Sequence, residues 1–351
     1  MKTYKNLYPQ VVDFENLYLA WRKARKGKRG HAGPASFERR QEEELLTLQK
    51  ELQEFTYTPG AYHNFSIHDP KKRLISAAPF RDRVVHHALC RVIEPIWESR
   101  FIHDTYANRV VKGTHRALDR AQEYLRKYRF FLQCDLRQYF ASIDHTLLRA
   151  EFARRIHDNN VLWLCDRILA SGVGVLADEY EMAWFPGDNL WAANRPRGLP
   201  IGNLTSQFWA NVYLNDFDAF IKRELKCPAY VRYVDDFVLF EDDPRRLKEW
   251  RAAIVEKLAG LRLTLHEASA RSFPSISGLP FLGFRLYPEY RRIKYRKVAH
   301  FRRSLQYRLK EYGRGRMELP RLEAGIKGWI NYVRYADTWG LRRSVLRKAV
   351  L

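Results

Sequence analysis

The stretch YVRYVDDFVLF, residues 230–240, constrains this chain more than any other. Two adjacent carboxylates, Asp235 and Asp236, stand between runs of Tyr, Val and Phe, residue types that favour buried strands. The segment predicts a hairpin with both acids at its tip. Two-residue turns ordinarily use Asn-Gly or Asp-Gly, because they need positive φ. Asp-Asp therefore reads either as a solvated turn or as a pair of acids placed for chemistry, and the segment alone leaves both open.

A second acid-bearing strand bears on the choice. In FFLQCDLRQYFASIDH, residues 130–145, an apolar run delivers Asp135 at its end, where a carboxylate can leave a sheet and enter a cleft. If that strand lies beside the hairpin, Asp135 faces Asp235. Crowded carboxylates take up protons unless divalent cations neutralise them. Hard oxygen ligands select magnesium, which keeps substrate phosphates in its shell. Two such ions about 4 Å apart suit an in-line phosphoryl displacement.

The composition names the kind of partner. With 62 Lys and Arg against 40 Asp and Glu, the chain carries +22, which favours a polyanion. Residues 290–351 hold 18 of those cations against 4 acids, so the charge concentrates in a C-terminal module. A hydrophobic share of 46% over 351 residues excludes a disordered protein and leaves room for two or three domains. Cys90, Cys134, Cys165 and Cys227 are scattered, without the spacing of a zinc site or redox pair, and read as reduced structural thiols. No apolar run approaches a membrane span and no signal-peptide core opens the chain, so a soluble cytoplasmic protein with no membrane partner is expected. The basic cluster WRKARKGKRG, residues 21–30, reads as a nucleic-acid contact or as solvated surface.

Periodicity places the remaining pieces. Leu45, Leu48, Leu52 and Phe55 predict one amphipathic helix over residues 36–55. Residues 62–89 read as strands around a turn at Asp69-Pro70, then a helix. Residues 144–169 and 205–225 read as helical, 172–200 as an irregular hairpin or loop insertion, 244–260 as a helix, and 278–288 as a hairpin. In residues 296–312, Val298, Phe301, Leu305, Leu309 and Tyr312 share one helical face and leave most Arg and Lys on the other, a face suited to phosphates. Trp329, Tyr332, Tyr335 and Trp339 are stacking surfaces or, at this spacing, core.

The strand with Asp135, RGLPIGNLTSQ (residues 197–207) and Tyr233-Val234-Asp235-Asp236 resemble, in that order and spacing, the palm motifs of a reverse transcriptase. KKRLISAAPFRDRVVHHAL resembles its fingers, YANRVVKGTHRAL the following fingers-palm motif, and LPFLGF its primer-gripping hairpin; the likeness covers about residues 60–340. It implies an α+β right-hand fold: an N-terminal extension and start of fingers over 1–60, fingers with first palm elements over 61–130, palm over 131–289 with an insertion at 172–200, and a basic helical thumb over 290–351. It also implies RNA-directed DNA synthesis from template RNA, a cDNA or primer strand and dNTPs, with two Mg2+ ions for which Mn2+ can substitute.

By the same resemblance, Asp135 and Asp235 hold both ions with Asp236 as third acid, and the Leu136 backbone carbonyl is a further ligand. Lys71, Lys72 and Arg73 hold the incoming triphosphate. Phe140 blocks a ribose 2′-hydroxyl, while Ile201, Gly202 and Gln207 lie at the nascent pair. Arg296, Lys297, Arg302, Arg303 and Arg308 contact nucleic acid. The segment IGNLTSQ has Ile201 where reverse transcriptases commonly carry Gln, and resembles the error-prone enzymes of diversity-generating retroelements. These are prokaryotic or phage systems that generally require an accessory variability protein. Loss of a polar group at Ile201 fits lower selectivity. Other bacterial types, of group II intron, retron or defence kind, remain open, as does an inactive RNA-binding relative; the lack of a maturase-like extension after residue 351 leans away from the intron type. Ser269 stands where the family often has a Lys that protonates pyrophosphate, and nearby Arg271 is a poor proton donor.

Overall fold

Helical and strand patterns alternate along the chain. The computed structural model describes residues 2–28, 30–68, 72–268 and 270–350. The chain begins with α1 (Tyr8–Val12), α2 (Phe14–Ala24), α3 (Ala32–Arg39) and α4 (Gln41–Gln53), then β1 (His63–His68), β2 (Lys72–Ala77) and α5 (Phe80–Glu98). The middle holds α6 (Thr114–Lys127), β3 (Phe130–Asp135), α7 (Tyr139–Ser142), α8 (His145–Ala153), α9 (Asn159–Ser171), α10 (Leu204–Tyr213) and α11 (Asn215–Arg223). The last part comprises β4 (Ala229–Tyr233), β5 (Asp236–Glu241), α12 (Pro244–Gly260), β6 (Arg271–Pro274), β7 (Leu279–Phe281), β8 (Phe284–Leu286) and β9 (Arg291–Ile293). Three helices close it: α13 (Tyr295–Gly313), α14 (Leu319–Val333) and α15 (Trp339–Val350).

Several expected single helices are broken. Leu45, Leu48 and Leu52 are buried on α4 as their spacing predicts, but the helix starts only after Arg40, and Phe55 lies beyond it at φ 59°, 41% exposed. The run over 144–169 divides because Asp158 accepts from the amides of Asn160 and Val161 and so starts a new helix. The same carboxylate accepts from Leu7 and Tyr8 N–H, tying α1 to α9. The run over 205–225 divides at Leu214. The insertion at 172–200 forms two short 3-10 turns rather than a hairpin. Its Arg195 grips Asp188 with both guanidinium ends, at 2.5 and 3.1 Å. Asp144, which caps α8, pairs with Arg262.

The chain divides into two compact units of interleaved segments. The first comprises Met1–His103, Asp135–Lys226 and Ala252–Glu267; the second comprises Asp104–Cys134, Cys227–Arg251 and Ala268–Leu351. The first is mainly helical and carries the antiparallel β1–β2 hairpin. The second contains a four-stranded sheet in the order β4-β5-β3-β6 and a three-stranded antiparallel sheet β7-β8-β9. A core of Ala117, Leu118, Ala121 and Leu125 from α6 packs with Val231, Val238 and Phe240 of β4 and β5 and with Phe281 and Phe284. Val298, Leu305, Leu322, Trp329, Val333 and Val345 form a separate core among α13, α14 and α15. All four cysteines are buried thiols, as expected of structural residues.

Candidate active site

The acids do not share the hairpin tip. The β4–β5 register pairs Tyr233 with Asp236, so the two-residue turn is Val234-Asp235, and Asp236 is the first residue of β5. Turn geometry explains the difference from the sequence expectation: positive φ falls on Val234, at 60°, and neither acid has to adopt it. For a β-branched residue that conformation costs about 1–3 kcal/mol and needs support from its surroundings. Arg232, 1% exposed, donates from Nη1 to the Val234 carbonyl at 2.9 Å. Its backbone is held in turn: its N–H donates to the Asp104 carbonyl at 2.9 Å, and its carbonyl accepts from Tyr106 N–H at 3.0 Å. The Asp104 carboxylate accepts from the Tyr106 and Tyr124 hydroxyls and from Arg120 Nε. Burial first, then Asp104, pushes both phenols upward, so they remain donors.

Strand β3 lies next to β5 in the same sheet. From β3, Gln133 Nε2 donates to the Pro280 carbonyl at 2.9 Å and approaches Asp236 Oδ1 at 3.4 Å. Asp235 and Asp236 are both half-buried. Asp135 ends β3 and belongs to the first unit. There its carbonyl accepts from His266 N–H, and Arg137 N–H donates to Thr264, each at 2.8 Å. These bonds flank Leu136, which is paired with Leu265. In such a pair the residue's own amide and carbonyl turn away from the partner strand, which leaves the Leu136 carbonyl directed elsewhere.

The first unit gathers most of the expected nucleotide-binding residues. Lys72 and Arg73 are exposed on β2; Lys71, like the turn at Asp69-Pro70, lies outside the described residues. Ser76 N–H donates to the Ile201 carbonyl at 2.8 Å, and Asn203 ties Ala78 N–H and the Ser76 carbonyl to the same turn. Gly202 sits at φ 116°, and a Cβ there would lie 2.9 Å from Ile75 Cγ2, so only glycine fits. Gln207 is exposed on α10. Phe140, half-buried on α7, packs edge-on to Tyr139 and accepts Leu199 N–H at its carbonyl.

The profile of the reverse transcriptase (RNA-dependent DNA polymerase) family matches residues 67–286, a segment that contains all of these positions. The chain belongs to the reverse transcriptase family. Its α+β architecture is the right-hand polymerase fold of that family. The chain is 26% identical to Protein YkfC of Escherichia coli (strain K12), over 69% of its own length and 71% of YkfC. It is 25% identical to the group II intron-encoded protein LtrA of Lactococcus lactis subsp. cremoris, over 51% of its length but only 28% of LtrA. A solved structure of apo telomerase from Candida Tropicalis is also similar, at 10% identity and TM-score 0.48, over 70% of this chain and 59% of that one.

On the C-terminal helices, the residues expected to contact nucleic acid differ in exposure. On α13, Arg296 and Arg303 are exposed, while Lys297, Arg302 and Arg308 are half-buried. Arg308 lies against Gly325 of α14 and donates from Nε to Ser304 at 3.4 Å, so part of its guanidinium is covered by the neighbouring helix. Trp329 stacks on Phe301 with centroids 4.1 Å apart and Tyr335 on His115 at 3.5 Å, which makes them core; Trp339 is 65% exposed.

Carboxylate oxygens such as those of Asp235 and Asp236 are hard donors, which fit magnesium and not a soft metal. Among the described residues, no group of three or more His, Cys, Asp and Glu side chains is arranged to hold a metal ion. Arg271 is exposed on β6, where it pairs with Gln133, and Ser269 lies outside the described residues. Sequence reasoning missed Arg232 and Gln133. The signal was present in both: a polar residue within a largely apolar strand. No described helix is long and apolar enough to cross a membrane.

Proposed function

We propose that the chain is an RNA-directed DNA polymerase that copies template RNA into cDNA from dNTPs. One observation carries the reading: Gln133 of β3 reaches Asp236 of the neighbouring β5. Side chains two apart on a strand share a face, so Gln133 and Asp135 lie on one face of β3. Asp135 and Asp235 would hold two magnesium ions, or manganese in their place, with Asp236 as third acid and the Leu136 carbonyl as a further ligand. Bound there, the ions would activate a primer 3′-hydroxyl and offset charge on the leaving pyrophosphate.

The chain's own groups do the rest. Lys71, Lys72 and Arg73 hold the triphosphate through charge-assisted bonds. Phe140 excludes a ribose 2′-hydroxyl, and Gly202 lets the backbone approach the nascent pair beside Ile201 and Gln207. Arg296 and Arg303, with Lys297 and Arg302, track strand phosphates. In this reading residues 1–60 are the N-terminal extension and start of fingers, 61–130 fingers with first palm elements, 131–289 palm and 290–351 thumb.

Within the family, the pattern IGNLTSQ supports the error-prone retroelement type, with an accessory variability protein as partner. The likeness to LtrA favours a second reading, a group II intron-like enzyme. Primer extension on a defined RNA, followed by sequencing of the product, tests both levels. A magnesium-dependent cDNA supports the polymerase, and its absence contradicts it. Errors concentrated opposite template adenines favour the retroelement type; evenly spread errors favour the second reading.

A further inference from the structure

Beside the Gly202 turn, the first unit has a solvent-open pocket of about 180 Å3 lined by Lys28, Arg83, His86, His87, Asn203 and Gln207, among others. Its charges are of one sign, and among the described residues no carboxylate lines it. Lys28 comes from the segment after α2, while Arg83, His86 and His87 lie on successive turns of α5. Arg83 spends Nε on the Ala78 carbonyl at 2.8 Å, which fixes its guanidinium in place. Asn203 uses its whole side chain on backbone groups, so it is structural. His86 is 1% exposed, and its Nδ1 is buried without a hydrogen-bond partner.

Burial lowers the Lys28 ammonium, and Arg83 lowers it further. Burial first, then Lys23, Lys28 and Arg91, pushes His87 down to about 4. No acid offsets either change. Partly desolvated cations gathered without a counter-charge repel one another, and an anion seated between them lowers that cost. In the tautomer that carries its proton on Nδ1, the buried His86 imidazole supplies a donor that a phosphate oxygen would satisfy.

We propose that this cavity is a phosphate-binding pocket, with Lys28, Arg83 and His86 as its donors. The phosphate comes either from the backbone of a bound RNA strand, for which Lys28 would anchor the N-terminal segment to the strand, or from the polyphosphate of a nucleotide. The inference rests on the polymerase reading only for the choice between these sources, and its test needs no catalysis.

Binding of a short single-stranded RNA is measured by fluorescence anisotropy across a salt series, with the full chain, in chelator and without nucleotide. A backbone phosphate in the pocket predicts that Lys28→Gln weakens binding and lowers the slope of log K against log salt by about 0.7. Binding of inorganic pyrophosphate, followed by calorimetry, forms the second arm. A loss of about threefold or more there, with the RNA slope unmoved, assigns the pocket to free polyphosphate. Arg83→Gln, checked for native circular dichroism, must behave like Lys28→Gln in whichever arm responds. If neither variant changes either measurement, the pocket does not bind phosphate.

Discussion

Arg232 Nη1 donates to the carbonyl of Val234 at 2.9 Å, and Val234 is the positive-φ residue immediately before Asp235. A buried guanidinium thus holds the turn that carries Asp235, the proposed metal ligand. Lysine keeps the charge but cannot reproduce the planar fork. Arg232→Lys is expected to lower kcat by about 10–100-fold through misplacement of the turn. KM for dNTP and RNA affinity should stay near wild type. A matching rise in KM, or full activity, would contradict the positioning role.

Gly202→Ala places a methyl 2.9 Å from Ile75 Cγ2 at φ 116°. Backbone strain at such a site costs about 1–3 kcal/mol. Urea unfolding should shift to a lower midpoint by a corresponding amount, and KM for dNTP should rise because the turn lies beside Ile201 and Gln207. An unchanged midpoint would show that the turn relaxes freely.

The buried His86 gives stability a pH dependence with a definite sign. Burial, then His87 and Arg83, pushes it down to about 3. Unfolded, it titrates near 6.5. Below that value the unfolded chain takes up a proton that the folded chain refuses. The stabilisation is therefore complete above about pH 6.5 and is lost at up to about 1.4 kcal/mol per pH unit as pH falls towards the folded value. Denaturant titrations between neutral and mildly acid pH should show His86→Gln losing less stability than wild type. Parallel profiles would refute the assignment.

The cations of α13 should separate by their surroundings. Replacing the exposed Arg296 and Arg303 with Gln should lower the salt slope of RNA binding by about 0.7–0.9 for each phosphate left without its cation. Arg308→Ala should instead lower the thermal midpoint and leave the slope unchanged, because that side chain covers Gly325. If Arg308→Ala moved the slope as Arg303→Gln does, its inward packing would not persist in the bound state.

Strand and hairpin positions were legible because alternation of Tyr, Val and Phe around Asp235 leaves few alternatives to a buried sheet. Helix extents were less so. The apolar period continues through Arg40, Leu214 and the segment before Asp158; at Asp158 one carboxylate and groups distant in sequence decide the break, while at Arg40 and Leu214 no side-chain cap marks it. Turn register misled for the same reason: the two acids draw the eye, but the positive-φ position fell on Val234. Arg232 and Gln133 escaped because a polar residue in a strand does not reveal whether it faces a carbonyl, a carboxylate or water. The one-sided charge of α13 was legible, but Arg308 shows that facing outward on a helical wheel is not the same as facing solvent.

The account turns on Asp235 as a ligand of catalytic magnesium. The direct measurement is dNTP incorporation by Asp235→Asn on an RNA template over a magnesium titration, with RNA binding recorded on the same preparation. Incorporation is expected to fall to background at every magnesium concentration while RNA affinity is retained. Incorporation equal to wild type, with the same magnesium dependence, would contradict the assignment.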